Sequence, residues 1–268
     1  MLRSVFGAAV WARRRSLAWW IGGSFVYLLF LGSAFPTLKE NAPDFEEMLE
    51  NYPEALRALF NMAECPSLAT GPCFLNMELF SFMLPLLLII FAVGFGARAV
   101  AGEEEEGTLD LLLAGPVSRR RWLAEQFGAM ALLTFLIGLV NFLAILIAGA
   151  AFDLGLDPGN LAAAIFGVVL IAMVFGSLAL AVGAVTGNRG MAIAVASAAA
   201  LAAYLIFALA DVVTWLGTVQ KASPWYYYAA SSPLLKGLEW AHAGVLAAAA
   251  LALPVLAGVA LDRRDLAV

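Results

Sequence analysis

With 268 residues, of which 63% are hydrophobic and 13% charged, and a mean hydropathy of +0.90, the chain carries more apolar surface than a soluble domain of its length can hide. Lipid must be the solvent for most of it. The formal net charge of -5 says little about partners, because the charge is segregated along the sequence rather than spread.

The apolar run 5–12 is followed by Arg13, Arg14 and Arg15 rather than by a small-residue cleavage site, so no removable signal peptide is read there. Residues 1–16 are too polar at one end to insert. They are expected to form an amphipathic elbow helix on the inner leaflet, with Trp11, Trp19 and Trp20 at the interface. A plain basic anchor that sets topology is the other reading of the same residues. Crossing about 30 Å of hydrocarbon takes a helix of about 20 apolar residues. Six stretches meet that need: 17–35, 79–100, 123–151, 161–185, 191–216 and 243–261.

Lysine and arginine placement gives the orientation. With the N-terminus inside, the inner side receives Arg3, Arg13, Arg14, Arg15, Arg98, Arg119, Arg120, Arg121, Arg189, Arg263 and Arg264, and the outer side only Lys39, Arg57, Lys221 and Lys236. Both termini are therefore expected to be cytoplasmic, which requires an even number of spans.

The first outer loop, 36–78, is long and mainly acidic. Phe45, Met48, Leu49, Tyr52, Leu56, Leu59 and Phe60 recur at helical spacing, so short helices are expected, limited by Pro43 and Pro53. Both cysteines, Cys65 and Cys73, fall here. An oxidising exterior favours a disulfide between them, and two free thiols are the alternative. In the spans, Pro85 and Pro254 are expected to kink their helices, and Gly94, Gly96, Gly176 and Gly183 to permit close helix approach. Asn141 is expected to hydrogen-bond to a neighbouring helix, and Glu125 to pair with Arg121 one turn earlier. Residues 217–242 are dense in aromatics and broken by Pro224 and Pro233. They read as short helices dipping part-way into the bilayer and returning, or as a plain interfacial aromatic belt. His242, the only histidine, makes neither a metal site nor a catalytic pair alone.

The charged break 103–121 separates the second and third stretches. Glu103, Glu104, Glu105 and Glu106 precede Gly107 and Thr108, which offer a turn and an N-cap for a short helix over 109–114. Gly115 and Pro116 stop it, and Ser118 caps the next helix, whose start Arg119, Arg120 and Arg121 hold at the headgroups. Leu109, Leu111, Leu112 and Leu113 then face water unless a protein or the lipid surface covers them.

These residues carry a resemblance. Glu103, Glu104, Glu105 and Glu106, then Gly107, Thr108 and Leu109, then Asp110, Leu111, Leu112 and Leu113, with Pro116, Val117, Ser118 and Arg119, resemble the coupling segment of the type-2 ABC exporter permeases. In that family an acidic residue precedes Gly-Thr-Leu, a leucine-rich helix and a Pro-Val-Ser-Arg turn. The ending Asp262–Leu266 and the segment around Tyr226–Tyr228 and Pro233–Gly237 are similar too, though less specific. The acidic outer loop with its two cysteines is a departure, longer than in many members.

The resemblance implies an all-α membrane protein with six transmembrane helices, an N-terminal elbow helix (1–16), a cytoplasmic coupling helix within 103–121 and a re-entrant outer segment (217–242) in a transmembrane domain spanning 17–268. It implies a permease subunit that moves an amphipathic or hydrophobic substrate (drug, lipid, peptide or antibiotic) out of the cytoplasm or inner leaflet of a bacterial or archaeal plasma membrane. The partners implied are cytosolic ATP-binding cassette ATPase subunits, which bind ATP and magnesium, and a second permease copy or similar chain. No cofactor, metal or nucleic acid is expected on this chain. No Gly-x-x-x-x-Gly-Lys-Ser/Thr occurs, so ATP hydrolysis is expected elsewhere. In the family, spans two and five border the pathway, which makes Phe82, Phe91, Phe95, Tyr204 and Phe207 the candidates to line it. A different class, a non-transporting anchor or sensor that docks a cytosolic protein on the same inner helix, is the alternative.

Overall fold

Helix is the only regular structure among the described residues. Lipid demands this of a chain whose backbone N–H and C=O groups must be paired internally. The computed structural model describes residues 5–59, 65, 67, 69–108 and 118–263. Short α1 (Val5–Ala12) leads into α2 (Arg14–Glu40), then α3 (Ala42–Glu50) and α4 (Glu54–Leu59). After the loop come α5 (Gly71–Leu75), a π-helical turn (Asn76–Phe80), α6 (Met83–Ala97), a second π-helical turn (Arg98–Gly102) and α7 (Glu103–Glu105). The remaining helices are α8 (Arg119–Ala151), α9 (Pro158–Thr186), α10 (Arg189–Ala208), α11 (Thr214–Val219), α12 (Pro224–Ala229), α13 (Pro233–Lys236) and α14 (Trp240–Arg263). Six helical stretches are long and apolar enough to cross a membrane.

The helix starts follow local chemistry. Ser118 Oγ accepts from the Arg121 N–H at 3.3 Å to cap α8, Asp157 Oδ1 from Asn160 N–H at 2.7 Å to cap α9, and Asn188 Oδ1 from Met191 N–H at 2.7 Å to cap α10. Pro158 occupies the first position of α9, where its missing N–H has no intrahelical partner to lose. Three span ends differ from the sequence reading. The first spanning helix continues through Pro36 to Glu40, and the second spanning stretch begins back at Gly71. Span five stops at Ala208 rather than 216, because Asp211 lies exposed in the turn that follows. The kink expected at Pro85 is a break at 81–82 instead: the helix restarts at Met83, which places Pro85 in its first turn.

Helix α9 forms the centre of the bundle, with 72% of its hydrophobic window buried, against 22% for α2 and 28% for α10. It packs mainly on α6 and α14. The α6–α9 seam is so close that a Cβ built on Gly96 would lie 2.2 Å from the Gly176 carbonyl oxygen, and one on Gly176 would lie 2.8 Å from Ala92 Cβ. Gly94, also expected to serve close packing, has nothing within 4 Å of a Cβ and faces open space. On α14, Pro254 leaves the Ala250 carbonyl without its usual donor one turn back, and Ser177 Oγ of α9 donates to it at 2.9 Å. Ser177→Ala is therefore expected to lower stability by about 1 kcal/mol, read as a lower thermal midpoint of the purified protein in detergent with insertion unchanged.

One expectation is corrected. Asn141 is fully buried, yet neither its amide nitrogen nor its oxygen has a hydrogen-bond partner among the described residues, so no bridge to a neighbouring helix is seen there. Cys73 is buried within α5, and Cys65 Sγ lies 3.9 Å from Asn76 Nδ2, which donates to it.

Candidate functional site

The arginine-rich helix ends meet at one end of the bundle, around the two arms of the charged break. Its acidic arm is the continuation of α6 through α7. Arg98 Nη2 lies 2.6 Å from Glu106 Oε1, and Thr108 Oγ1 donates to Glu103 Oε2 at 2.6 Å. Glu105 Oε1 accepts from the backbone N–H of Arg189, the first residue of α10, at 2.8 Å. Gly107 turns the chain with φ of +68°, as its place before the leucine-rich run requires. Glu104 too has a partner within the structure. Glu103, Glu105 and Glu106 thus hold the protein's own elements.

The basic arm opens α8. Arg119 Nη1 donates to the Leu261 carbonyl at 2.8 Å, and Arg120 pairs with Asp262, so the arm is fastened to the end of α14. Arg121 pairs with Glu125 at 3.0 Å, as the spacing predicts, and Glu125 also accepts from the Phe6 N–H at 3.0 Å. That second bond caps α1 with a carboxylate on α8. The short helix 5–12 is thereby docked on α8. At its junction with α2, Arg13 stacks over the Phe95 ring at 3.6 Å, and its Nη2 donates to the Phe95 carbonyl at 3.4 Å. Desolvation first, then the neighbouring charge of Arg98, pushes the Arg13 guanidinium down to about 10, which leaves it charged at neutral pH. Leu109, Asp110, Leu111, Leu112, Leu113 and Pro116 lie outside the described residues.

At the opposite end, the aromatic segment closes the seam between α6 and α10. Phe82 and Tyr204 rings lie 4.8 Å apart, Tyr204 and Trp225 5.0 Å, and Trp225 and Tyr228 5.6 Å. Three side chains anchor the segment through backbone carbonyls. Ser223 Oγ donates to Ala203 O at 2.7 Å, Trp225 Nε1 to Ala200 O at 3.3 Å, and Tyr228 Oη to Phe80 O at 2.7 Å. The space left between Tyr204, Phe207, Tyr228 and Asn76 is about 10 Å³, no more than one water fills. His242 sits between Tyr226 and Tyr227, ring centroids 5.5 and 5.3 Å away, with Glu239 Oε2 at 3.3 Å from Nδ1.

The five pathway candidates divide. Phe82, Tyr204 and Phe207 come together at this closed end. Phe91 and Phe95 turn the other way: Phe91 packs edge-on to Trp20 of α2 at 5.9 Å, and Phe95 lies under Arg13. Beside Trp20 opens a groove of about 370 Å³ lined by Trp19, Trp20, Gly23, Ser24, Tyr27, Met83 and Leu87. The sequence reading placed the two tryptophans at the interface and missed the groove, for which the adjacent Gly22 and Gly23 were the available signal.

An all-helical bundle with six candidate membrane spans is the fold that the resemblance implied. Residues 10–266 match the family described as ABC-2 family transporter protein. The chain belongs to that family. No curated protein matches it closely enough to serve as a relative. The match is to a permease domain of the ABC-2 type, typically a non-catalytic membrane subunit, and such permeases pair with ABC ATPases. In this ABC-2 permease the match covers nearly the whole described bundle, from α1 to the end of α14.

Proposed function

We propose that this ABC-2 permease is the membrane half of an exporter: two permease copies, or this chain with a similar one, driven by two separate ATPase subunits. The ATPases bind ATP and magnesium, and each holds the leucine-rich helix of one inner break in a surface cleft. The arginine-rich end is the cytoplasmic one, with both termini inside the plasma membrane of a bacterium or archaeon. The observation that carries the reading is the double fastening of the break. Its acidic arm grips α10 through Glu105, and its basic arm grips α14 through Arg119 and Arg120 and α1 through Glu125. A push on the helix between the arms therefore reaches three other elements at once. A loop resting idly on lipid has no need of such bonds.

The substrate is amphipathic or hydrophobic. The groove beside Trp20 is lined by aromatic, aliphatic and small side chains with the hydroxyls of Ser24 and Tyr27 among them, and the cluster around Tyr204 is built of stacked aromatic rings. The segment anchored by Ser223, Trp225 and Tyr228 serves as an outer lid, shut in this structure.

Co-purification of the tagged permease with its cognate ATPase, followed by vanadate-sensitive ATP hydrolysis in lipid, tests the reading. A stable complex is expected, and it should be lost when residues 107–113 are replaced by a glycine-serine linker. A permease that purifies alone under every condition would overturn the exporter reading in favour of an anchor or sensor.

A further inference from the structure

Among the spans, α10 is fastened at both ends by side chains from other segments and packed loosely between them. Only 28% of its hydrophobic window is buried, against 61% for the stretch containing α6 and 72% for α9. At the arginine-rich end its first N–H, that of Arg189, is held by Glu105 at 2.8 Å. A carboxylate there also meets the positive end of a 20-residue helix. The link from α9 is a short turn in which Gly187 takes a left-handed φ of +64°. At the other end, the last turns of α10 receive the Ser223 hydroxyl and the Trp225 indole of the lid.

Glu105 is the last residue of α7, and Gly107 turns the chain just beyond it. Displacement of the leucine-rich segment therefore reaches the Glu105 carboxylate within a turn. Span two cannot relay that movement by sliding, because Gly96 and Gly176 lock α6 to α9 backbone to backbone. Span five has no glycine set against a neighbouring backbone in that way.

We infer that Glu105 is the positioning residue that passes movement of the inner segment to the outer lid, with α10 as the connecting rod. The inference rests on the exporter reading and adds to it the route by which the lid is released. The bond lies between a side chain and a backbone N–H 84 residues apart.

The test is hydrogen–deuterium exchange of the permease–ATPase complex in nanodiscs, with and without ATP and vanadate. In the wild type, exchange in both 103–108 and 200–230 is expected to change by about tenfold on nucleotide trapping. Glu105→Ala should keep the response at 103–108 and lose it at 200–230. Glu105→Gln, whose side-chain oxygen still accepts the bond, should restore it. A second pair of variants probes the donor. Arg189→Pro deletes the N–H at a helix position that tolerates proline, and should silence the lid. Arg189→Ala keeps the N–H and should leave the lid responsive. A full lid response in both Glu105→Ala and Arg189→Pro would overturn the inference, as would a wild-type response confined to 103–108. No response at 103–108 in the wild type would sink the exporter reading itself.

Discussion

Leu112→Pro is expected to abolish transport while the permease still inserts and the ATPase still turns over. Residues 109–114 form a helix of under two turns by the sequence reading, bounded by Gly107 and by Gly115 and Pro116. So short a helix has little intrinsic stability and exists only through what it touches. Proline in its interior removes one backbone donor and clashes with the carbonyl one turn back, at a cost of about 3 kcal/mol. That shifts the helix equilibrium by roughly a hundredfold. The damage is confined to the break, because the arms on either side keep their own partners: Glu105 on Arg189, Arg119 on Leu261. Transport in proteoliposomes should therefore fall by about a hundredfold while surface expression and basal ATP hydrolysis remain. Leu112→Ala keeps the helix and loses one apolar contact, so it should retain measurable transport. Full transport by Leu112→Pro would mean that a helix at this place is not what the ATPase grips.

Much of the architecture was legible because its physics is local. Twenty apolar residues in a row announce a span, and Ser118 announces a helix start through a bond that reaches only three residues ahead. The end of span five was misplaced because Val212, Val213 and Leu216 extend the apolar window past the turn, and Asp211 alone interrupts it. The facing of span two was not legible. The stretch 82–97 is apolar all round, so no periodicity separates Phe82, which meets Tyr204, from Phe91, which meets Trp20. The candidate site was legible only as a motif. That Glu103, Glu104, Glu105 and Glu106 matter could be read from four carboxylates after a span. That Glu105 holds the start of α10 could not, since a side chain on a backbone N–H so distant in sequence leaves no residue-type signal. Asn141 shows the converse: the type of residue promised an interhelical bond, and the packing around it supplies none among the described residues.

Gly96→Ala is expected to destabilise the protein by about 3 kcal/mol through a methyl group added at the α6–α9 seam. The new Cβ would lie 2.2 Å from Gly176 O and 3.0 Å from Leu180 N. Both are backbone atoms of α9, the most buried span, so no side chain can swing aside to make room. The two helices must part, and the contact between Ala92 and Gly176 parts with them. Overpacking of this kind costs about 3 kcal/mol, well beyond the gain of up to about 1 kcal/mol that alanine brings over glycine in a helix. Gly94→Ala supplies the control. It lies two residues earlier on the same helix, where rotation of about 100° per residue turns it to another face, and a Cβ there meets nothing within 4 Å. It should be neutral or slightly stabilising. Thermal unfolding of the two variants in detergent should therefore separate them widely, and equal midpoints would mean that α6 and α9 do not touch at Gly96. The same contact bears on movement. If α6 and α9 form the fixed body of the permease, only loosely packed spans such as α10 are left to carry motion from the inner break to the lid. Parting that seam should then impair the transport of whatever Gly96→Ala protein still folds, because the rod would have nothing firm to move against.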